Sequence, residues 1–265
     1  MNIRIIRYST CPLWLAWLLQ TNHDKPTNKR HLNLLRSRIQ MKYIDLSHTL
    51  SPGIPAYPGD QPFTSHLTRT ITSDGYNLHT FSLTSHTGTH LDAPYHFFEL
   101  GKTVNRIPLE WLVGRPVVVD LLGMEDRQEI TWDALKAHEG EMVERSRRAG
   151  GGILLIRTGW SAHWCTPRYN DHPFLSRGAA VEILKRGIRI IGVDTLSPDE
   201  TATSEAETKG GFGVHEEVLG MGGVFVENLT NLGELIGGEY TVSLVPLSIE
   251  GCDGAPVRAF AWREV

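Results

Sequence analysis

Between His86 and Phe97 the chain reads His-Thr-Gly-Thr-His-Leu-Asp-Ala-Pro-Tyr-His-Phe. His86, His90, Asp92 and His96 all have the same parity, so an extended chain would put them on one face. A helix would also bring His86 near His90. However, Thr87, Gly88 and Thr89 are poor helix formers, and Pro94 in a helix interior loses a hydrogen bond and clashes. The segment therefore predicts a strand through about Phe81 to His86, then a tight extended stretch carrying His90 and Asp92. Gly88 is read as the point where backbone passes close to an ion, and Pro94 as a stiff exit that turns His96 back. Imidazole nitrogen and carboxylate oxygen are the usual ligands of zinc and related divalent metals. A lone histidine would carry little weight. Three histidines and an aspartate, flanked by the apolar Phe81, Leu83, Leu91, Phe97 and Phe98, favour a metal site over a polar loop.

At 265 residues the chain can hold one large domain or two small ones. Cys11, Cys165 and Cys252 show neither CxxC spacing nor an even framework, which points away from disulfides and thiolate zinc and toward a reducing, cytoplasmic setting. The net charge of −4 is uneven: residues 1–40 hold seven Lys and Arg against Asp24, which leaves 19 basic and 29 acidic residues in the rest. An acidic body of this kind argues against nucleic-acid binding. Cys11 to Leu19 is an apolar run too short to span a membrane. Arg4 and Arg7 imitate a signal peptide without a cleavage site, and an Arg-rich transit peptide is a further option. The preferred reading is that residues 1–40 are an appendage, and that the folded domain starts at Met41 and runs to Val265.

Within that domain, Met41 to Ser47 reads as a first strand and Leu50 to Asp60 as a Pro/Gly loop. Phe63 to Thr72 and Asn77 to Thr84 read as strands about an Asp74-Gly75 turn. Val117 to Leu122, Gly152 to Arg157, Ile188 to Val193, Val224 to Glu227 and Thr241 to Pro246 are apolar enough for strands, and Arg258 to Trp262 closes the chain. Thr131 is placed as a helix cap, and Ser176 starts a helix that buries Ala179, Ala180, Ile183 and Leu184. Helix, short turn and apolar strand in succession is α/β grammar.

Two histidines and an aspartate need further donors. Glu227 ends an apolar strand, a costly place for an acid unless it is paired or ligated. His215 precedes it by twelve residues, and Asp194 is another acid at a strand end. Here the chain resembles the metal-dependent cyclase family, whose best-known branch is the bacterial-type kynurenine formamidase, or arylformamidase. The family signature His-x-Gly-Thr-His-x-Asp-x-Pro-x-His-Phe is met in full by His86 to Phe97. Similar blocks are Pro58-Gly59-Asp60, Arg157-Thr158-Gly159-Trp160, Gly192-Val193-Asp194-Thr195, Glu227 to Leu232 and Gly254 to Ala259. Residues 1–40 lie outside the likeness.

The resemblance implies an α/β fold of the swivelling β/β/α type, with a mixed sheet flanked by helices, assembled as a homodimer or larger homo-oligomer. It implies two zinc ions per subunit, with manganese as the alternative. His86, His90 and Asp92 would hold the first, Asp92 and Glu227 would bridge to the second, and His215 would complete it. His96 would be the general acid/base. The implied reaction is hydrolysis of a small-molecule amide by metal-activated water, N-formylkynurenine giving kynurenine and formate. Tyr57, Phe97, Phe98 and Trp160 are candidates for an aromatic wall. Tyr57 stands where many formamidases carry tryptophan, and Ser197 to Gly213 is polar enough to shape or cover a pocket. Isatin hydrolases, which open a cyclic amide, belong to the same family and are the runner-up. Three rival readings fit the sequence less well. A serine hydrolase would need a Gly-x-Ser-x-Gly elbow, which Gly159-Trp160-Ser161-Ala162-His163 lacks. A metal-binding protein without turnover would not need His96. Gly220-Met221-Gly222-Gly223 is no phosphate loop.

Overall fold

The computed structural model describes residues 40–202 and 211–265. The appendage expected over residues 1–40 therefore lies outside the described residues except for Gln40, as do residues 203–210 of the polar segment. None of the described helices is long and apolar enough to cross a membrane.

The strand Gly152–Arg157 explains the architecture. Ile153 to Ile156 are all fully buried, and they divide by parity between two cores. Ile153 and Leu155 pack with Val224, Val226 and Ile190, whereas Leu154 and Ile156 pack with Val117, Val119 and Ile183. A pleated strand with both faces covered needs such an unbroken apolar run. It lies within a six-stranded sheet of order Gly254–Pro256, His90–Asp92, Val224–Glu227, Ile188–Val193, Gly152–Arg157, Val117–Asp120. The last four strands are parallel. His90–Asp92 runs antiparallel to both of its neighbours, so the sheet is mixed.

The first core is closed by a four-stranded sheet of order Met41–Asp45, Phe260–Glu264, Thr241–Ser243, Val113–Gly114, through Ile44, Ala261 and Val242. The second is closed by helices, among them Arg177–Lys185 and Gly213–Gly220, through Ala180, Ile183 and Val218. Sheet, sheet and helices form three layers, the β/β/α arrangement expected. Ser176 caps its helix by accepting from Ala179 N at 3.0 Å.

Several strands are shorter or shifted at their ends, Thr241–Ser243 and Phe260–Glu264 among them, and local expectations differ in kind elsewhere. The strand placed through Phe81 to His86 ends at Ser82, as part of a hairpin between Thr64–Arg69 and Leu78–Ser82. Beyond it Thr87 Oγ1 accepts from Thr84 N at 2.9 Å and closes a turn that a strand could not make. The Asp74-Gly75 turn is a short helix, Ile71–Asp74, ended by Gly75 at φ +81°. Thr131 precedes the helix Trp132–Leu135, but its side chain makes no capping bond.

His172 is a buried neutral histidine. Its Nδ1 lies 2.8 Å from Pro173 O, and its Nε2 lies 2.7 Å from Thr201 Oγ1. A carbonyl only accepts, so Nδ1 holds the proton and Nε2 accepts from the threonine. Burial pushes this ring down to about 4 from 6.5. The unfolded chain takes up a proton near 6.5 and the folded chain only near 4, so stability present above 6.5 is lost as pH falls across that interval. The loss amounts to roughly 3 kcal/mol at most. In chelator-treated protein, His172→Gln is expected to lose less stability than wild type between pH 6.5 and 4. Urea unfolding at each pH measures this, and parallel curves would refute it.

Candidate active site

Strand register builds the site. Glu227 sits directly opposite His90, and Phe225 opposite Asp92. His90 and Asp92 share a face by parity, and Glu227 joins them across the ladder. On the other flank Gly254 pairs with Asp92. A Cβ there would lie 2.8 Å from Leu91 O and 3.0 Å from His86 Cε1, so glycine leaves the space that the His86 ring occupies. The helix Gly213–Gly220 brings His215 in from the second core.

The donor atoms converge. Asp92 Oδ1 lies 2.7 Å from His86 Nδ1 and 3.2 Å from His90 Nε2, while its Oδ2 lies 3.4 Å from His215 Nε2. Glu227 divides in the same way: Oε2 is 3.3 Å from His90 Nε2, and Oε1 is 3.3 Å from His215 Nε2. Ligand-type atoms of His90, Asp92 and Glu227 fall within 4.8 Å of one another, as do those of His86, Asp92 and His96. Both carboxylates thus turn one oxygen to the His86/His90 side or to His90 alone, and the other to His215.

The outward nitrogens are each held by an oxygen. His90 Nδ1 donates to Gly88 O at 2.8 Å, and His215 Nδ1 lies 2.6 Å from Asp199 Oδ2. His86 Nε2 lies 2.8 Å from Asp253 Oδ2, which is also 3.0 Å from His96 Nδ1. Such outer partners fix ring orientation and leave the inner nitrogen as a lone pair. The Gly88 carbonyl is itself held by Asn228 Nδ2 at 2.9 Å, and Tyr169 OH donates to Asn228 Oδ1 at 2.8 Å. Gly88 therefore has a part beyond the close approach to an ion read from the sequence. At φ +65° it aims its carbonyl at His90, and a Cβ there would meet Leu50 Cδ2 at 2.3 Å.

Two buried atoms fit an ion and nothing else nearby. His90 Nε2 and Glu227 Oε1 make no hydrogen bond among the described residues. A carboxylate oxygen and a ring nitrogen left without hydrogen bonds are costly in a folded core unless something binds there. The electrostatics agree. Burial disfavours a proton on His86, yet Asp92 and Asp253 outweigh it and raise the ring to about 9. Burial loses the same contest at His90, to Asp92 and Glu227, and at His215, to Asp199, Asp92 and Glu227. Burial would raise Asp92, but His90, His86 and His215 hold it well below the usual carboxylate range. The His86 and His96 bonds depress Asp253 too. The pocket draws positive charge.

A cavity of about 270 Å³ opens over these groups. His86, His90, Asp92, His96, His215 and Glu227 all line it, so the structure brings together every ligand and base candidate. Tyr57 and Phe97 line it as well, and so does Phe212, which sequence reasoning missed. Phe97 stacks on His215 with centroids 5.0 Å apart at 16°. Trp160 does not line it. It is buried in a small core with Tyr169 and Leu196, its Nε1 donating to Arg168 O. Phe98 faces Gly220 outside the cavity. Asp194 instead accepts from Thr158 N, Thr158 Oγ1 and Gly159 N, organising the neighbouring strand end.

Asp199 and Asp253 were also missed. Asp199 lies in the segment read as a polar cover. Its Oδ1 accepts from Val214 N and its Oδ2 from His215 N, which ties it to the start of the helix that carries His215. The one signal was an acid just after Pro198, and the cap it makes is 16 residues away. Asp199→Asn keeps the size and an acceptor but loses the charge behind His215. Its divalent-metal affinity is expected to fall by roughly 10–100-fold. Competition with a chromogenic chelator measures this, and unchanged affinity would remove Asp199 from the site.

Comparisons with known proteins agree with this geometry. The Cyclase family model matches residues 44–200. The chain is 33% identical over 220 residues to a kynurenine formamidase of Bacillus cytotoxicus, covering 82% of this chain and 96% of that one. It is 32% identical, over the same shares, to a kynurenine formamidase of Bacillus mycoides. Among solved structures, isatin hydrolase A from Ralstonia solanacearum superposes with a TM-score of 0.74 at 25% identity, covering 92% of this chain and all of that one. A protein described as a "predicted metal-dependent hydrolase" from Bacillus stearothermophilus gives 0.64 at 25% identity, over 84% and 98%. With a family match over more than half its length, and relatives this similar across most of theirs, the chain belongs to the Cyclase family.

Proposed function

We propose that this protein is a metal-dependent amide hydrolase that releases formate from an N-formylated arylamine, N-formylkynurenine being the first candidate. The observation that carries this reading is the division of the Asp92 and Glu227 oxygens between the His90 side and the His215 side. That arrangement suits two divalent ions, zinc first and manganese second. His86, His90 and Asp92 would hold one and His215 would complete the other, with Asp92 and Glu227 shared between them. Ions held there would supply Lewis acidity toward the carbonyl oxygen and would lower the pKa of a water to near neutrality.

The chain's own residues do the rest. His96 is partly exposed at the cavity wall, and it takes the water proton and returns it to the leaving amine nitrogen. The C–N bond breaks as the formyl carbon gains oxygen, so the products are formate and the arylamine. Tyr57, Phe97 and Phe212 offer apolar faces to an aryl ring beside the metal ligands. A cyclic amide opened in the manner of isatin is the second reading. The superposition on isatin hydrolase A supports it, and the higher identity to kynurenine formamidases favours the first.

Assembly as a homodimer, in a cytoplasmic setting, belongs to the same reading. The hairpin of Thr64–Arg69 and Leu78–Ser82 pairs with no third strand among the described residues and exposes Leu67, Ile71, Tyr76, Leu78 and Phe81. A two-stranded hairpin is marginal alone, and this one has an apolar surface to cover. Light scattering is expected to show twice the chain mass, and a clean monomer would count against the dimer.

Chelator-stripped protein is expected to lose turnover of N-formylkynurenine and to regain it with zinc or manganese. At full metal occupancy His96→Ala is expected to lose about 10²–10⁴-fold in kcat. Metal-loaded protein inert toward this substrate and toward isatin would sink the hydrolase reading. An active His96→Ala would sink only the assignment of the base.

A further inference from the structure

Asp253 has no assigned part in the reaction, yet it touches two histidines that do. It directly precedes the strand Gly254–Pro256, which pairs antiparallel with His90–Asp92. Its own carbonyl accepts from Ala93 N at 2.8 Å, so its backbone is tied to the metal-binding segment. One carboxylate oxygen, Oδ2, then reaches both His86 Nε2 at 2.8 Å and His96 Nδ1 at 3.0 Å. The two rings lie side by side, with centroids 4.1 Å apart at 38°.

A carboxylate only accepts hydrogen bonds, so both ring nitrogens that face it carry their protons. In a neutral imidazole the second nitrogen is then the lone pair. Both His86 nitrogens face a carboxylate, Nδ1 meeting Asp92 Oδ1 at 2.7 Å, so the metal-free ring holds both protons; an ion at Asp92 would displace the one on Nδ1, and the Asp253 bond would keep the other on Nε2. For His96 the lone pair is on Nε2, which makes no hydrogen bond among the described residues, on a ring that lines the cavity. The opposite tautomer would present an N–H at both places, able neither to ligate an ion nor to accept a proton.

We propose that Asp253 is the positioning residue of this site, one carboxylate setting His86 as a ligand through Nδ1 and His96 as a proton acceptor through Nε2. The inference rests on the hydrolase reading for the role of His96. When Nε2 takes the water proton the ring becomes an imidazolium, and the adjacent carboxylate offsets that charge until the proton passes to the leaving nitrogen. A neutral amide at 253 cannot do this. It can also rotate its NH₂ group toward the rings and reverse their tautomers, the fault known from serine proteases when the triad aspartate becomes asparagine.

The test uses full-length, zinc-saturated protein labelled with ¹⁵N-histidine, with Asp253→Asn and Asp253→Glu beside wild type. Two-bond ¹H–¹⁵N spectra report the tautomer of each ring, bound zinc is measured, and kcat and KM are taken on N-formylkynurenine. Wild type is expected to show His96 protonated at Nδ1, and Asp253→Asn to lose that signature. At equal zinc content Asp253→Asn is expected to lose on the order of 10²-fold or more in kcat with KM little changed, and Asp253→Glu to recover part of it. Wild-type His96 protonated at Nε2 would overturn the proposal. So would a zinc-saturated Asp253→Asn with wild-type kcat, since Asp253 would then serve only to retain metal. Wild type inert toward amides would defeat the hydrolase reading, and the spectra would still decide the tautomers.

Discussion

Everything at this site depends on negative charge held where water cannot dilute it. Asp92 and Glu227 are buried at strand positions, Asp199 and Asp253 stand behind the histidines, and no Lys or Arg lines the cavity among the described residues. Taking a carboxylate out of water costs several kcal/mol unless a partner offsets it. The histidines are that partner, and they respond in the only way open to them without an ion, by favouring protonation. A divalent cation competes for the same lone pairs, so binding of metal and release of protons are two views of one balance. The three-layer fold supplies the rigidity. His90 and Asp92 project from a strand bonded on both edges, and Glu227 from the neighbour that is locked to it in register.

Much of this was legible in the sequence, for reasons that differ by element. Gly152–Arg157, Ile188–Val193 and Val224–Glu227 are strands over the ranges their apolar runs suggest, because burial on both faces keeps most of their positions apolar. The ligand cluster was legible because its spacing is local and its chemistry unusual. His215 and Glu227 needed the likeness to a family, since a histidine at a helix start and an acid at a strand end each have an ordinary explanation.

What escaped notice acts at a distance. Asp253 meets His86 across 167 residues and leaves no periodic imprint. Phe212 and Trp160 show the same limit for aromatics. Both precede or open helical turns, and only burial distinguishes the residue on the cavity wall from the one in the core. The hairpin was misjudged at its edge because Thr84 and Thr87 bond to each other, a local side-chain competition with strand pairing that composition alone does not show.

The strand His90–Asp92 comes from the first half of the chain but is clamped between two strands from the second. Loop closure over such separations is slow, and it must precede any contact that rewards it. The donor cluster therefore has no complete form on a growing chain until His215 and Glu227, both from the second half, have been made and docked. An ion held by this set would be seated only after the strand Val224–Glu227 has found its place beside His90–Asp92.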